Sequence, residues 1–173
     1  MKPQLIFYRL ITFILLPIAA INAISILGIL PAAFANPLML ISVFINFAVI
    51  MYTFTSFSFF IRGVVKGKPF KASFKDWIKV NAYVSIGYGS IILLCALIYF
   101  GSADIQKKIA DNSAQLQTVL GAKNLDKAAL LRLLRGGLSF AACFSAVLIA
   151  HIIITLGLLK KYKQLFVEGK QPI

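Results

Sequence analysis

Few side chains in this sequence could carry out chemistry. There is one histidine, His151, with two cysteines, Cys95 and Cys143, and five carboxylates, Asp76, Asp104, Asp111, Asp126 and Glu168. A zinc site typically needs four ligands, which this set supplies only if several scattered carboxylates join in. Cys143 and His151 are separated by about 12 Å along one helix, too far for a nucleophile and its base. No two carboxylates are spaced for general acid–base work. There is no Gly-rich phosphate loop, HExxH pair or CxxC motif. The expectation is a protein without catalysis, metal or cofactor.

His151 remains, because it sits deep in an uncharged run, where an ionisable side chain is a functional candidate by default. Counting inward equally from the helix ends places Tyr88 and Thr53 near its depth. Tyr52, Thr55 and Ser85 fall within a turn of that level, and Thr155 lies one turn below. The expected intramembrane polar cluster is therefore His151, Tyr88, Tyr52, Thr55 and Thr155. A neutral imidazole bonded to Tyr or Thr is an ordinary helix–helix contact, worth about 0.6 kcal/mol on average. With no acid in any span to hold a proton or cation, packing is favoured over a transport pathway.

The elements that must position these groups follow from composition. The 173 residues are 60% hydrophobic and 13% charged, with a mean hydropathy of +0.90. Soluble domains run to about 45–50% apolar and about 25% charged, so an integral membrane protein is indicated. Charge is absent for 52 residues between Arg9 and Arg62, for 24 between Lys79 and Asp104, and for 24 between Arg135 and Lys160. A span needs about 20 apolar residues. The long run therefore holds two spans, with a turn at Pro31 to Pro37, where Asn36-Pro37 reads as an N-cap followed by a first-turn proline. The expectation is an all-α polytopic membrane protein, a single four-helix domain over residues 1–173. Its spans lie near 6–31, 37–61, 77–100 and 137–160, with an amphipathic helical outer loop at 101–136 between helices 3 and 4. The first apolar stretch is too long for a signal peptide, and Pro17 within it predicts a kink.

The formal charge of +13 describes orientation. With the N-terminus inside, 12 of the 18 basic residues face the cytoplasm. The outer loop holds the other six, with Asp104, Asp111 and Asp126 among them. Both termini are expected to be cytoplasmic, in a plasma membrane such as the inner membrane of a bacterium. Basic residues spread over membrane-flanking loops do not form a nucleic-acid site.

From Pro69 onward Lys71, Lys75 and Lys79 recur at helical spacing, opposite Phe70, Phe74, Trp77 and Ile78. That pattern suits contact with anionic lipid, although the topology signal alone explains such a loop. Ser73 to Asp76 resembles a capping box that would start helix 3 at Phe74. In the outer loop a helix is expected over 104–120, ending at Gly121, and a second beginning at Asn124 and running through Gly136-Gly137 into the last span. This hairpin could cap the bundle, lie on the membrane or bind a partner. Ala142, Ala146 and Ala150, with Ser85 and Gly89, form small-residue faces that let helices approach closely, within the chain or in a homo-oligomer. Cys95 and Cys143 read as small apolar core residues.

The leading expectation is a scaffold, assembly or regulatory subunit of a membrane complex, with the lipid bilayer and possible copies of itself or another membrane protein as partners. The alternative is a transporter, channel or channel accessory with a polar pathway near His151.

Overall fold

The computed structural model describes residues 3–112 and 126–167. Its elements are α1 (Pro3–Phe34), α2 (Pro37–Ser58) continued by a π-helical segment (Phe59–Val65), β1 (Phe70–Lys71), α3 (Ala72–Gly101), α4 (Ala103–Asp111), α5 (Lys127–Lys161), a 3-10 turn (Lys163–Leu165) and β2 (Phe166–Val167). Four helical stretches, Leu5–Phe34, Met39–Val65, Ala72–Gly101 and Ala128–Lys161, are long and apolar enough to cross a membrane. Among the described residues the chain is all-helical apart from the two-residue pairing of β1 with β2. In hydrocarbon every backbone polar group must be satisfied within the segment, and helices of this length do that.

By packing, the chain divides into two units. The larger comprises Met1–Tyr88 and Val147–Ile173, and the smaller comprises Gly89–Ala146.

In the larger unit α1 and α2 form a helical hairpin. The Asn36 carbonyl accepts from the N–H groups of Met39 and Leu40 at 3.0 and 3.3 Å, so α2 starts at Pro37, the position its sequence favours. The preceding helix outlasts its expected end. Pro31 lies inside α1, which continues to Phe34, because proline near a helix end removes only one donor and the turn needs just Ala35 and Asn36. Pro17 is likewise accommodated within α1.

At its far end α2 widens into the π segment, burying Phe59, Phe60 and Gly63. Gly67, at φ 66°, adopts the left-handed conformation that closes this end. Its N–H and that of Lys68 return to the Gly63 and Arg62 carbonyls at 2.8 and 2.9 Å. The chain then extends through β1, which pairs in parallel with β2 in the register Phe70 to Phe166 and Lys71 to Val167.

This pairing corrects two expectations. Helix 3 begins at Ala72, with Ser73 already inside it, so Ser73 is not its cap. Lys71 is in extended backbone and leaves the helical stripe to Lys75 and Lys79. The competing interaction is the β1–β2 ladder, which takes the backbone of Phe70 and Lys71 out of helical geometry. Along α3 the buried face is Ile78, Asn81, Ala82 and Ser85, a spacing of three and four residues that marks one side of a helix. The two polar members turn inward on their own helix: Asn81 donates to the Trp77 carbonyl and Ser85 to the Asn81 carbonyl, at 2.8 and 2.7 Å.

In the smaller unit Ser102 caps α4 by accepting from the Ile105 N–H. α4 ends at Asp111, with Asn112 as its C-cap, and residues 113–120 of the expected helix lie outside the described residues. Asparagine competes for backbone hydrogen bonds and favours helix ends. The expected C-cap Gly121 and N-cap Asn124 lie outside the described residues. α5 is capped by Asp126, whose carboxylate accepts from the Ala129 N–H. It then runs unbroken through Gly136 and Gly137 to Lys161. Cys95 and Cys143 are free and exposed, a correction to their assignment as core. Among apolar neighbours in lipid, a small soft side chain has no need of burial.

Candidate functional site

Three helices of the larger unit each contribute two polar residues four apart: Tyr8 and Thr12 from α1, Tyr52 and Ser56 from α2, His151 and Thr155 from α5. That spacing puts both members of a pair on one face, one turn apart. All six are buried to 1% exposure or less. Around them pack Leu15, Val49, Phe59, Phe60, Leu148, Ile152 and Leu159, also nearly inaccessible.

His151 is held from both ring nitrogens. Nδ1 lies 2.7 Å from the Tyr52 hydroxyl and Nε2 lies 2.9 Å from Thr12 Oγ1. The Tyr8 ring stacks on the imidazole, with centroids 4.5 Å apart and planes 18° from parallel. Tyr52 meets it edge-on at 5.7 Å. Thr155 Oγ1 completes the group, 2.8 Å from the Tyr52 hydroxyl and 3.1 Å from that of Tyr8. Ser56 donates to the Thr53 carbonyl at 3.0 Å. Among the described residues no buried side-chain nitrogen or oxygen lacks a partner.

A count of hydrogens limits how this group can be wired. Thr12 donates to the Tyr8 carbonyl at 2.7 Å and Thr155 to the His151 carbonyl at 2.9 Å. A hydroxyl has only one hydrogen. Two wirings meet this count, each with one threonine sharing its hydrogen between two acceptors. In one, Nδ1–H donates to Tyr52, Tyr52 to Thr155, and Thr12 divides its hydrogen between Nε2 and the Tyr8 carbonyl. The shorter carbonyl contact of Thr12, 2.7 Å against 2.9 Å for Thr155, favours the other, in which Thr12 accepts from His151, Nε2–H is the protonated nitrogen of a neutral ring, and Tyr52 donates to Nδ1. With Nε2–H, Tyr8 donates to Thr155, and Thr155 divides its single hydrogen between the His151 carbonyl and the Tyr52 oxygen. The result is a directional chain through Thr155, Tyr52, His151 and Thr12 that begins at the Tyr8 hydroxyl and ends at the Tyr8 carbonyl. It stitches α1, α2 and α5 together inside the apolar unit.

Of the expected cluster, the structure brings His151, Tyr52 and Thr155 together. Tyr88 is half-buried and is not bonded to the group. Thr55 turns away and donates to the Met51 and Tyr52 carbonyls. Tyr8 and Thr12 were missed. Depth counting had been applied to helices 2, 3 and 4 only. On α1 the same count, nine residues inward from Arg9, falls at Ile18 and passes over both Tyr8 and Thr12.

The small-residue faces separate. Ser85 and Gly89 are buried, Ala142 is half-buried, and Ala146 and Ala150 are exposed. Lys71 is exposed, with Lys75 and Lys79 half-buried. Two cavities lie elsewhere. One is an apolar groove of about 590 Å³ between α1 and α2, lined by residues such as Ile24, Leu27, Leu30, Phe44 and Phe47. The other, about 200 Å³, is lined in the smaller unit by Tyr99, Gln106, Leu131, Arg132 and Arg135. Neither is lined by any of the six polar residues. Among the described residues no group of three or more His, Cys, Asp or Glu could hold a metal.

No family model, curated protein or solved structure matches this chain.

Proposed function

We propose that this chain is a non-enzymatic, multi-pass membrane protein that serves as a scaffold, assembly or regulatory subunit of a membrane complex. Both termini lie on the cytoplasmic side of a plasma membrane, the side that takes 12 of the 18 basic residues. One observation carries the reading. Among the described residues the buried polar side chains are bonded to one another or to their own helix, and none of the six around His151 lines either cavity. Buried polar groups used this way hold helices in a defined arrangement, which suits a rigid subunit that presents its outer faces. On α5, Ala146 and Ala150 are such a face, exposed and small enough for a second helix backbone to approach closely.

The test is assembly in mild detergent. Ala150→Leu and Ala146→Leu are expected to lower the oligomer or partner fraction seen by light scattering and cross-linking, without loss of helix content. Unchanged assembly in both variants overturns the role of that face. Solute flux in proteoliposomes that disappears in His151→Ala would replace this reading by a transport one.

A further inference from the structure

The end of the larger unit that holds β1 and β2 gathers charge of one sign. Arg9 stands near the start of α1, Arg62, Lys66 and Lys68 follow α2, and Lys71, Lys75 and Lys79 follow β1. Lys160 and Lys161 close α5, and Lys163 lies in the 3-10 turn that follows. Packing brings these segments to one end: Tyr8 lies against Phe60 at 5.0 Å and bonds Thr155, and Phe59 and Phe70 stack with Phe166 at 5.6 and 6.1 Å. The only described carboxylate in these segments is Asp76, and among the described residues no ion pair takes up any of these cations.

The cations sit on a built support. Phe70 stacks flat on Phe74 at 4.6 Å and 6°, and the Arg62 guanidinium lies 5.6 Å over the Phe70 ring. Gly63 is where the support seats: a Cβ there would meet Phe70 Cε2 at 2.9 Å and Leu165 at 3.3 Å. The β1–β2 pairing therefore joins the α2–α3 connection and the segment after α5 into one platform with Lys68, Lys71 and Lys163 on it. Beside it Val65, Trp77, Val80 and Tyr83 are exposed, at 58–61% of their surface. Aromatic and apolar side chains next to cations are what a headgroup boundary accommodates.

We propose that this platform binds the phosphate headgroups of anionic phospholipids in the leaflet that meets this end of the spans. Among the described residues its cations have no ion-pair partner, and they are several in number and carried by two distant segments held side by side. Phosphates of neighbouring lipids present the complementary array, and the exposed Trp77, Val80 and Tyr83 enter the acyl region beneath them. The binding depends on the platform's shape as well as on its charge, so a neutral change at Gly63 must weaken it.

The experiment uses the full chain in mild detergent and measures retained lipid by native mass spectrometry against phosphatidylglycerol and phosphatidylcholine. Phosphatidylglycerol is expected to be preferred by at least about tenfold, and the preference to collapse at about 0.5 M salt. Each lysine on such a surface is worth about fivefold, so Lys68→Gln with Lys71→Gln and Lys163→Gln should remove most of the preference. Lys107→Gln with Lys108→Gln, in α4, should leave it intact. Gly63→Val keeps every charge and should still lower the preference severalfold with helix content retained. Should that variant lose its helix content, Phe166→Ala, which removes one face of the aromatic stack, gives the same readout. Equal retention of the two lipids, or equal loss from the α4 variant, overturns the proposal. Undiminished preference in a folded Gly63→Val or Phe166→Ala protein overturns the platform.

Discussion

Replacing Tyr52 by phenylalanine removes one oxygen and keeps the ring that meets His151 edge-on. That oxygen makes two contacts, 2.7 Å to Nδ1 and 2.8 Å to Thr155 Oγ1. Nε2–H is committed to Thr12, so Nδ1 then faces no described donor, and turning to the other tautomer supplies no acceptor. A buried acceptor left unmet costs about 1–3 kcal/mol. Interhelical hydrogen bonds within membranes average only about 0.6 kcal/mol and reach about 1.7. The overlap of these ranges sets the expected loss at about 1.5 kcal/mol, roughly a tenfold change in the folding equilibrium. Tyr8→Phe is the control. It removes a single 3.1 Å contact, keeps the ring stacked on the imidazole, and leaves Thr155 with Tyr52. Its expected cost is about 0.5 kcal/mol. Both are measured by reversible unfolding in mixed micelles of rising sodium dodecyl sulfate fraction, followed by circular dichroism. A Tyr8→Phe loss equal to or larger than that of Tyr52→Phe refutes the directional wiring, because a non-directional cluster would value the two hydroxyls alike.

Three further outcomes are expected. Nitrogen-15 spectra of the histidine-labelled protein should show a neutral ring protonated at Nε2, and an Nδ1–H signal would refute that assignment in favour of the opposite wiring. Spin labels at Cys95 and Cys143 should be mobile, accessible to oxygen and shielded from a water-soluble nickel chelate in bilayers, whereas immobilised spectra would put those residues in packed contacts. Asp126→Ala should cost about 1 kcal/mol at the start of α5, seen as faster hydrogen exchange at Ala129 and Leu130 with the rest of the helix unchanged.

The positions and number of the four long helices were legible in the sequence, and so was the start of α2. Placing charge in hydrocarbon is costly, and backbone there must be helical, so uncharged runs of sufficient length announce themselves without reference to any neighbour. The same physics hid how each helix faces. A span that is apolar all round has no polar side to mark outward and no apolar stripe to mark inward, so position along the helix is readable where rotation about it is not. Tyr88 and Thr55 matched His151 in depth and still fell outside its cluster for that reason. Tyr8, Thr12 and Ser56 entered because their helices were turned toward it by packing. Likewise the pairing of Phe70 with Phe166 joins segments almost a hundred residues apart, and nothing local in either predicts a strand two residues long. The sequence by itself determined four helices long and apolar enough to cross a membrane, and how few side chains could do chemistry. Only the tertiary structure decided that its single histidine closes a hydrogen-bonded stitch of three helices, because hydrogen-bond partners across helices are selected by rotation and close approach.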